Sequence, residues 1–463
     1  MKITTILKSN LTVGMLAFSS MASADAILHA FNWSYDEVAQ KASEISNLGY
    51  KKVLVSPAYK SSGNEWWARY QPQDYRVIDS PLGDTSDFKA MITTLKSHGV
   101  EVYADIVFNH MANESWKRSD LNYPGSEVLA EYASDANIND KTIFGDVTDN
   151  FLSAGDFHPE GCITNWNDAG HVQYWRLCGG NGDKGLPDLD PNNWVVEQQK
   201  LYLQKLKDFG VTGFRIDAAK HMNSYHINAV FDQNIKNGVH LFGEIITSGG
   251  AGNTEYDNFL APYLNDTGHS AYDFPLFASL RGALGFGGSM NQLVNPGAYG
   301  QALPGSKAIT FSVTHDIPLN DGFRYQIMDA TDEFLANTYI FGRDGGLPMI
   351  YSDHNESGDN RWQDMYKRDD VAAQIKFHNG AQGHGMQVIS YSDCHILFKR
   401  DHVGVVGINK CGNGQDVWVN TATDNLWWYK NYVDTISGDT QYITSQWHKF
   451  YLPARGARMW LMQ

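Results

Sequence analysis

Four short stretches of the sequence end in charged residues of the kinds that move protons. They are DIVFNH at 105–110, GFRIDAAKH at 213–221, GE at 243–244 and HD at 315–316. Asp217, Glu244 and Asp316 are carboxylates in three of them. One ionised carboxylate and one protonated carboxyl, about 5–5.5 Å apart, can hydrolyse a glycosidic bond with retention of configuration. Arg215 and Asp217 are two residues apart in a run that reads as a strand, so both point to one face. The cation beside Asp217 should hold it ionised, as a nucleophile requires. A neighbouring negative charge should raise Glu244 toward the range of a general acid. Asp316 is then a third carboxylate, suited to holding substrate hydroxyls and supporting an oxocarbenium-like transition state. His110 and His315 are expected to hydrogen-bond the distorted ring. Taken singly, each of these reads as well as an ion pair, a loop cap or a core histidine. Four such groups at strand ends do not.

The elements that must position them follow one pattern, in which a helix ends at glycine and an apolar strand follows. Val38, Ala42 and Ile45 share a helical face before Gly49 and the strand KVLV at 52–55. Phe88, Met91, Ile92 and Leu95 do so before Gly99 and VEVYADIV at 100–107. Val195, Tyr202, Leu206 and Phe209 do so before Gly210 and VTGFRI at 211–216. Glycine adopts the left-handed conformation that closes a helix at little cost. Further strands are read at 27–31, 241–244, 271–274, 309–313 and 347–351, making eight. This alternation predicts the α/β class and a (β/α)8 TIM barrel, whose chemistry sits at the C-terminal ends of the strands. Gly49 to Gly99 is one repeat, but the step from Gly99 to Gly210 is about twice as long. The excess predicts a domain inserted after the third strand. Short alternating runs beyond residue 385 predict a C-terminal antiparallel β-sandwich. The expected division is 25–110 with 189–384 for the barrel, 111–188 for the insert and 385–463 for the C-terminal domain.

Residues 1–24 read as a cleaved export signal. Lys2 and Lys8 precede the apolar run 11–18, and Ala22, Ser23 and Ala24 form a small-residue cleavage site. Export to an oxidising compartment favours disulfides among Cys162, Cys178, Cys394 and Cys411. Three connectivities are open, and the sequence-local pairs Cys162–Cys178 and Cys394–Cys411 are the expected ones. A formal net charge of −16 argues against nucleic acid and anionic membranes as partners. With 13 Trp and 24 Tyr, the chain is rich in flat rings that can stack on sugar-like ligands, although a large core accounts for most of them.

These motifs, in this order, resemble glycoside hydrolase family 13, the alpha-amylase family. DIVFNH, GFRIDAAKH, GEII at 243–246 and THD at 314–316 resemble its four conserved regions. LPDLD at 186–190 resembles the signature near the end of its inserted domain, and EWWARYQPQDY at 65–75 resembles the animal-type stretch lining the cleft. The resemblance implies endohydrolysis of α-1,4 bonds in starch by a secreted monomer, with Asp217 as nucleophile, Glu244 as acid/base and Asp316 as stabiliser. It also implies Trp66, Trp67 and Tyr70 as stacking platforms, with Gln71, His110, Arg215, Lys220, His221 and His315 lining the subsites. An exo-acting or transglycosylating relative, or a non-catalytic glucan-binding one, stays open at this point.

The same resemblance implies a structural calcium ion, held by side-chain oxygens of Asn109 and Asp188 and by main-chain carbonyls of His221 and Arg176. Waters and further carbonyls would complete the six to eight oxygens that calcium takes. Chloride is not expected, because Thr314 stands where chloride-dependent relatives carry Asn. Only Met349, Ile350 and Tyr351 lie where those relatives place a basic residue. Trp427 and Trp428 are read as packing in the C-terminal domain, with a surface sugar site as the alternative.

Overall fold

Eight mostly apolar runs form the inner wall in this computed structural model, which describes residues 25–180 and 182–463. The export-signal reading therefore lies outside the described residues. The strands are β1 (Ile27–Ala30), β2 (Lys52–Val55), β3 (Glu101–Ile106), β4 (Gly213–Ile216), β5 (His240–Gly243), β6 (Ser270–Tyr272), β7 (Ala308–Thr310) and β8 (Leu347–Ser352). Each pairs in parallel with its sequence neighbour, and β8 returns to β1, so the barrel closes. Nearly every strand residue is buried, as expected for a parallel sheet covered by helices. β6 and β7 are shorter than the runs read from sequence. At β6 the reason is Asp273, whose side chain leaves the strand direction to accept the Leu276 N–H and cap the next helix.

Local signals place the helices as expected. The first run divides at Lys41 into α1 (Tyr35–Gln40) and α2 (Ala42–Asn47), with Val38, Ala42 and Ile45 all buried. α3 (Thr85–Ser97) starts at Asp84 in a reciprocal capping box with Asp87. α4 (Asn193–Phe209) starts at Asn192 and stops at Gly210, whose φ of +113° is left-handed. Between β3 and α4 the chain makes its long excursion, which contains the Cys162–Cys178 disulfide. A bridge between His110 and Asp188 pins both ends of the excursion to the barrel rim.

The C-terminal region forms β9 (Met386–Tyr391), β10 (His395–Arg400), β11 (Gly404–Asn409), β12 (Gln415–Asn420), β13 (Asn431–Asp434), β14 (Thr440–Tyr442), β15 (Trp447–Leu452) and β16 (Gly456–Met462). Six strands make one antiparallel sheet in the order β9-β10-β11-β16-β13-β14, and β12 pairs with β15 in a second. Leu397, Val405 and Trp460 of the larger sheet meet Val417, Val419, Phe450 and Leu452 of the smaller one. The Cys394–Cys411 disulfide joins the open end of the β10–β11 hairpin. Among the described residues no helix is long and apolar enough to cross a membrane.

Candidate active site

Arg215 organises the C-terminal mouth of the barrel. It is wholly buried on β4, and its register neighbour on β3 is Asp105. Arg215 Nη1 donates to Asp105 Oδ1 at 2.9 Å, to Asp105 Oδ2 at 2.8 Å and to Asp217 Oδ1 at 2.8 Å. Its Nη2 donates to Glu244. The barrel ladder continues one residue past each strand end, since Asp217 N–H donates to Ile106 O and Glu244 N–H to Ile216 O. That continuation fixes both carboxylates at the rim. Ala218 then turns left-handed, with φ of +47°, and its N–H donates to Glu244 Oε2 at 3.1 Å. Such a conformation in a residue with a Cβ costs about 1–3 kcal/mol and is held by its surroundings.

Asp316 follows β7, and His315 Nε2 lies 3.4 Å from its Oδ2. The His315 ring is stacked between Phe31, at 4.8 Å, and Tyr70, at 5.1 Å. Tyr70 also donates its hydroxyl to Asp105 Oδ2 at 3.0 Å. Trp66, on the same short helical turn as Tyr70, presents its ring to Phe31 and His315. His110 Nε2 is 3.0 Å from Tyr70 O, and Gln71 Oε1 accepts the Asn113 N–H at 3.0 Å. Lys220 Nζ donates to Ile246 O at 3.1 Å and to Glu255 Oε1 at 2.7 Å, and His221 Nδ1 is 3.1 Å from Val172 O.

Burial is the main influence on the carboxylates and pushes all four up. Asp217 rises to about 7 and Asp105 to about 8, with Arg215 opposing and neighbouring carboxylates adding to the rise. Glu244 and Asp316 rise too, and the charge on Asp316 adds to the rise at Glu244. The direction at Glu244 is the one a general acid needs. The direction at Asp217 differs from the expectation that the adjacent cation alone holds it ionised. One guanidinium is shared among three buried carboxylates, so its charge is divided while each acid bears its own loss of hydration. Burial also lowers His110 to about 4 and His221 and His315 to about 3, so these rings are neutral at pH 7. A cleft of about 470 Å³ opens onto Asp217, Glu244 and Asp316.

The chain matches the family model "Alpha amylase, catalytic domain" over residues 35–258. It is 60% identical, over 454 residues, to an alpha-amylase of Aeromonas hydrophila, a match covering 96% of this chain and 98% of that one. The chain belongs to the alpha-amylase family. Solved structures agree on the fold. Alpha-amylase I of Eisenia fetida, in complex with maltohexaose, superposes with a TM-score of 0.70 at 21% identity, covering 94% of this chain and 96% of that one. An alpha-amylase of Geobacillus thermoleovorans complexed with acarbose gives 0.67 at 18%, covering 95% and 98%.

In this alpha-amylase fold the residues read from sequence divide into two groups. Asp217, Glu244, Asp316, Arg215, His315, Tyr70 and Trp66 converge on one point, and His110, Lys220 and His221 line the adjoining cleft. Trp67 is about half exposed, and Gln71 acts through the loop at Asn113. The sequence reading left several contributors unassigned. Phe31 clamps His315, Tyr272 lies 5.9 Å from the Arg215 guanidinium, and Trp166, Glu255 and Phe323 wall the cleft. Glu255 meets Lys220 across 35 residues of chain and Trp166 lies in the long excursion, so no local pattern marks them.

The oxygen donors named for calcium are partly assembled. Leu189 N–H donates to Asn109 O at 2.9 Å, which sets Asn109 beside Asp188. Asp188 is buried and raised to about 6 chiefly by that burial, with His158, at 2.6 Å from its Oδ2, then Arg176 and the Asn109 side chain opposing the rise. Arg176 O accepts the Ile163 N–H at 3.1 Å. A hard cation fits such a buried carboxylate, amide and carbonyl set. Among the described residues no three His, Cys, Asp or Glu side chains cluster for a metal.

Proposed function

We propose that the protein is a secreted alpha-amylase that cuts internal α-1,4 bonds of starch with retention of configuration. The observation that carries this is the pair Asp217 and Glu244, held on the two terminal nitrogens of one guanidinium at the barrel mouth. Carboxylates held so near one another suit retention, which needs about 5–5.5 Å, better than inversion, which needs about 6.5–9.5 Å. Asp217 attacks the anomeric carbon while Glu244 gives its proton to the departing glycosidic oxygen, leaving a glycosyl ester on Asp217. Glu244, now a carboxylate, takes a proton from water, whose oxygen attacks the same carbon and frees Asp217. Asp316 stabilises the charge on the sugar in both steps. Trp66, Trp67 and Tyr70 stack on apolar sugar faces, and Gln71, His110, Arg215, Lys220, His221 and His315 hold hydroxyls or orient the carboxylates.

Asn109 and Asp188, through side-chain oxygens, and His221 and Arg176, through carbonyls, would hold a calcium ion that ties the excursion to the rim. Chelation should then lower the melting temperature and added calcium restore it. Export is supported by the character of residues 1–24 and by both disulfides. The boundaries 25–110 with 189–384, 111–188 and 385–463 describe the three domains of a monomer. No chloride is needed, so exhaustive dialysis against chloride-free buffer should leave activity unchanged. The central test is reducing-sugar release from soluble starch, with the anomer of the fresh product read by NMR. The α-anomer and rapid loss of chain length are expected. A β-anomer, or no release, overturns the reading.

A further inference from the structure

We propose that the outward face of the β12–β15 sheet is a second, non-catalytic docking surface for an α-glucan chain. This rests on the substrate class argued above. Alternation along the two strands sends Val417, Val419, Phe450 and Leu452 into the core of the C-terminal domain. The opposite face meets water, where polar residues are the usual choice. It carries instead Trp418, Trp447 and Tyr451, exposed by 60%, 57% and 49%. Three large rings on one exposed face exceed the singly scattered apolar residues that are ordinary on a surface.

The register arranges these rings. Trp418 lies opposite Lys449, and Trp447 and Tyr451 lie two residues to either side of Lys449. At about 3.4 Å per residue the outer two are roughly 14 Å apart, with Trp418 between them on the neighbouring strand. Among the described residues, Trp418 and Trp447 make no ring contact and donate neither indole N–H to the protein. Trp427 and Trp428 differ, since one stacks on His402 at 3.8 Å and the other donates to Thr421 Oγ1 at 2.7 Å. The Tyr451 ring lies over Gly414, where the missing Cβ leaves room for it.

The chemistry of the face selects its occupant. Its two charges, Lys449 and Asp416, pair with each other at 3.0 Å. The face is thus neutral within a protein of net charge −16, which disfavours an anionic lipid surface or a polyanion. Three separated rings with polar groups between them suit a chain that alternates apolar C–H faces with hydroxyls, as linked glucose does. A self-associating face would call for contiguous apolar contact rather than rings spaced by charge.

The experiment compares parent, a Trp418→Ala/Trp447→Ala double variant and Trp418→Phe. Adsorption to insoluble starch granules is measured in the cold, and hydrolysis of maltoheptaose, a short soluble substrate, separately. The double variant should lose roughly tenfold or more in granule affinity, the scale of burying two large rings, with kcat/KM on maltoheptaose within about twofold of parent. Trp418→Phe should keep most of the adsorption, and melting temperatures should show all three folded. Unchanged adsorption of the double variant overturns the proposal, as does a parent dimer in sedimentation that the double variant abolishes without loss of adsorption. Failure of the parent to hydrolyse maltoheptaose would sink the catalytic reading instead, and adsorption would still decide the surface.

Discussion

The two ends of the barrel each carry a basic residue shared between carboxylates, and they behave as different devices. At the N-terminal end Lys52 meets Asp25 at 2.9 Å and Glu101 at 3.5 Å, with both acids partly open to water. At the C-terminal end Arg215 meets Asp105, Asp217 and Glu244, and all four groups are buried. Water screens the first cluster, so it adds little stability. The second is buried beneath the cleft and gathers more acids than bases, so its acids hold protons to higher pH. The same ingredients close a barrel at one end and store a movable proton at the other. Solvent access, not residue type, makes the difference.

Loss of either reacting carboxylate should have the largest effect. Asp217→Asn and Glu244→Gln should each lower kcat on soluble starch by about 10⁴-fold while leaving the far-UV spectrum unchanged. A fall under tenfold would mean that the C-terminal cluster is structural like its counterpart. Next in size is Arg215→Met, which strands buried carboxylates without their cation and should cost about 3–5 kcal/mol in urea unfolding. A cost near zero would show that the carboxylates had already taken up protons.

The dependence of stability on pH sharpens the contrast. Asp217 binds its proton more tightly folded than unfolded, so between pH ~4 and ~7 the folded state holds more protons. Stability should therefore be greatest at the acid side of that window and fall as pH rises through it. Asp217→Asn should flatten the slope, and an unchanged slope would remove Asp217 from the titrating set. The smallest effect is expected at the other end, where Lys52→Met should cost about 1 kcal/mol or less. A cost matching that of Arg215→Met would break the comparison.

The barrel was legible because its signals are local. Gly49, Gly99 and Gly210 stop helices at the expected places, and the strands that follow them are buried. The charged strand ends were legible for the same reason, since a rim position is set by where a strand stops. The local cysteine pairs were also read correctly. What escaped were contacts between distant stretches, such as Phe31 on His315 or Glu255 on Lys220. Each of these residues has the character of an ordinary core or surface residue in its own segment.

By itself, then, the sequence determined which groups stand at the rim, because the periods of helix and strand and the freedom of glycine act over a few residues. It also determined the net charge and the alternation that turns Trp418 away from the core. Only the tertiary structure decided the protonation balance at the site. That balance depends on how many carboxylates from separate strands share Arg215 and on how completely water is excluded around them, and both are properties of the closed barrel rather than of any one segment.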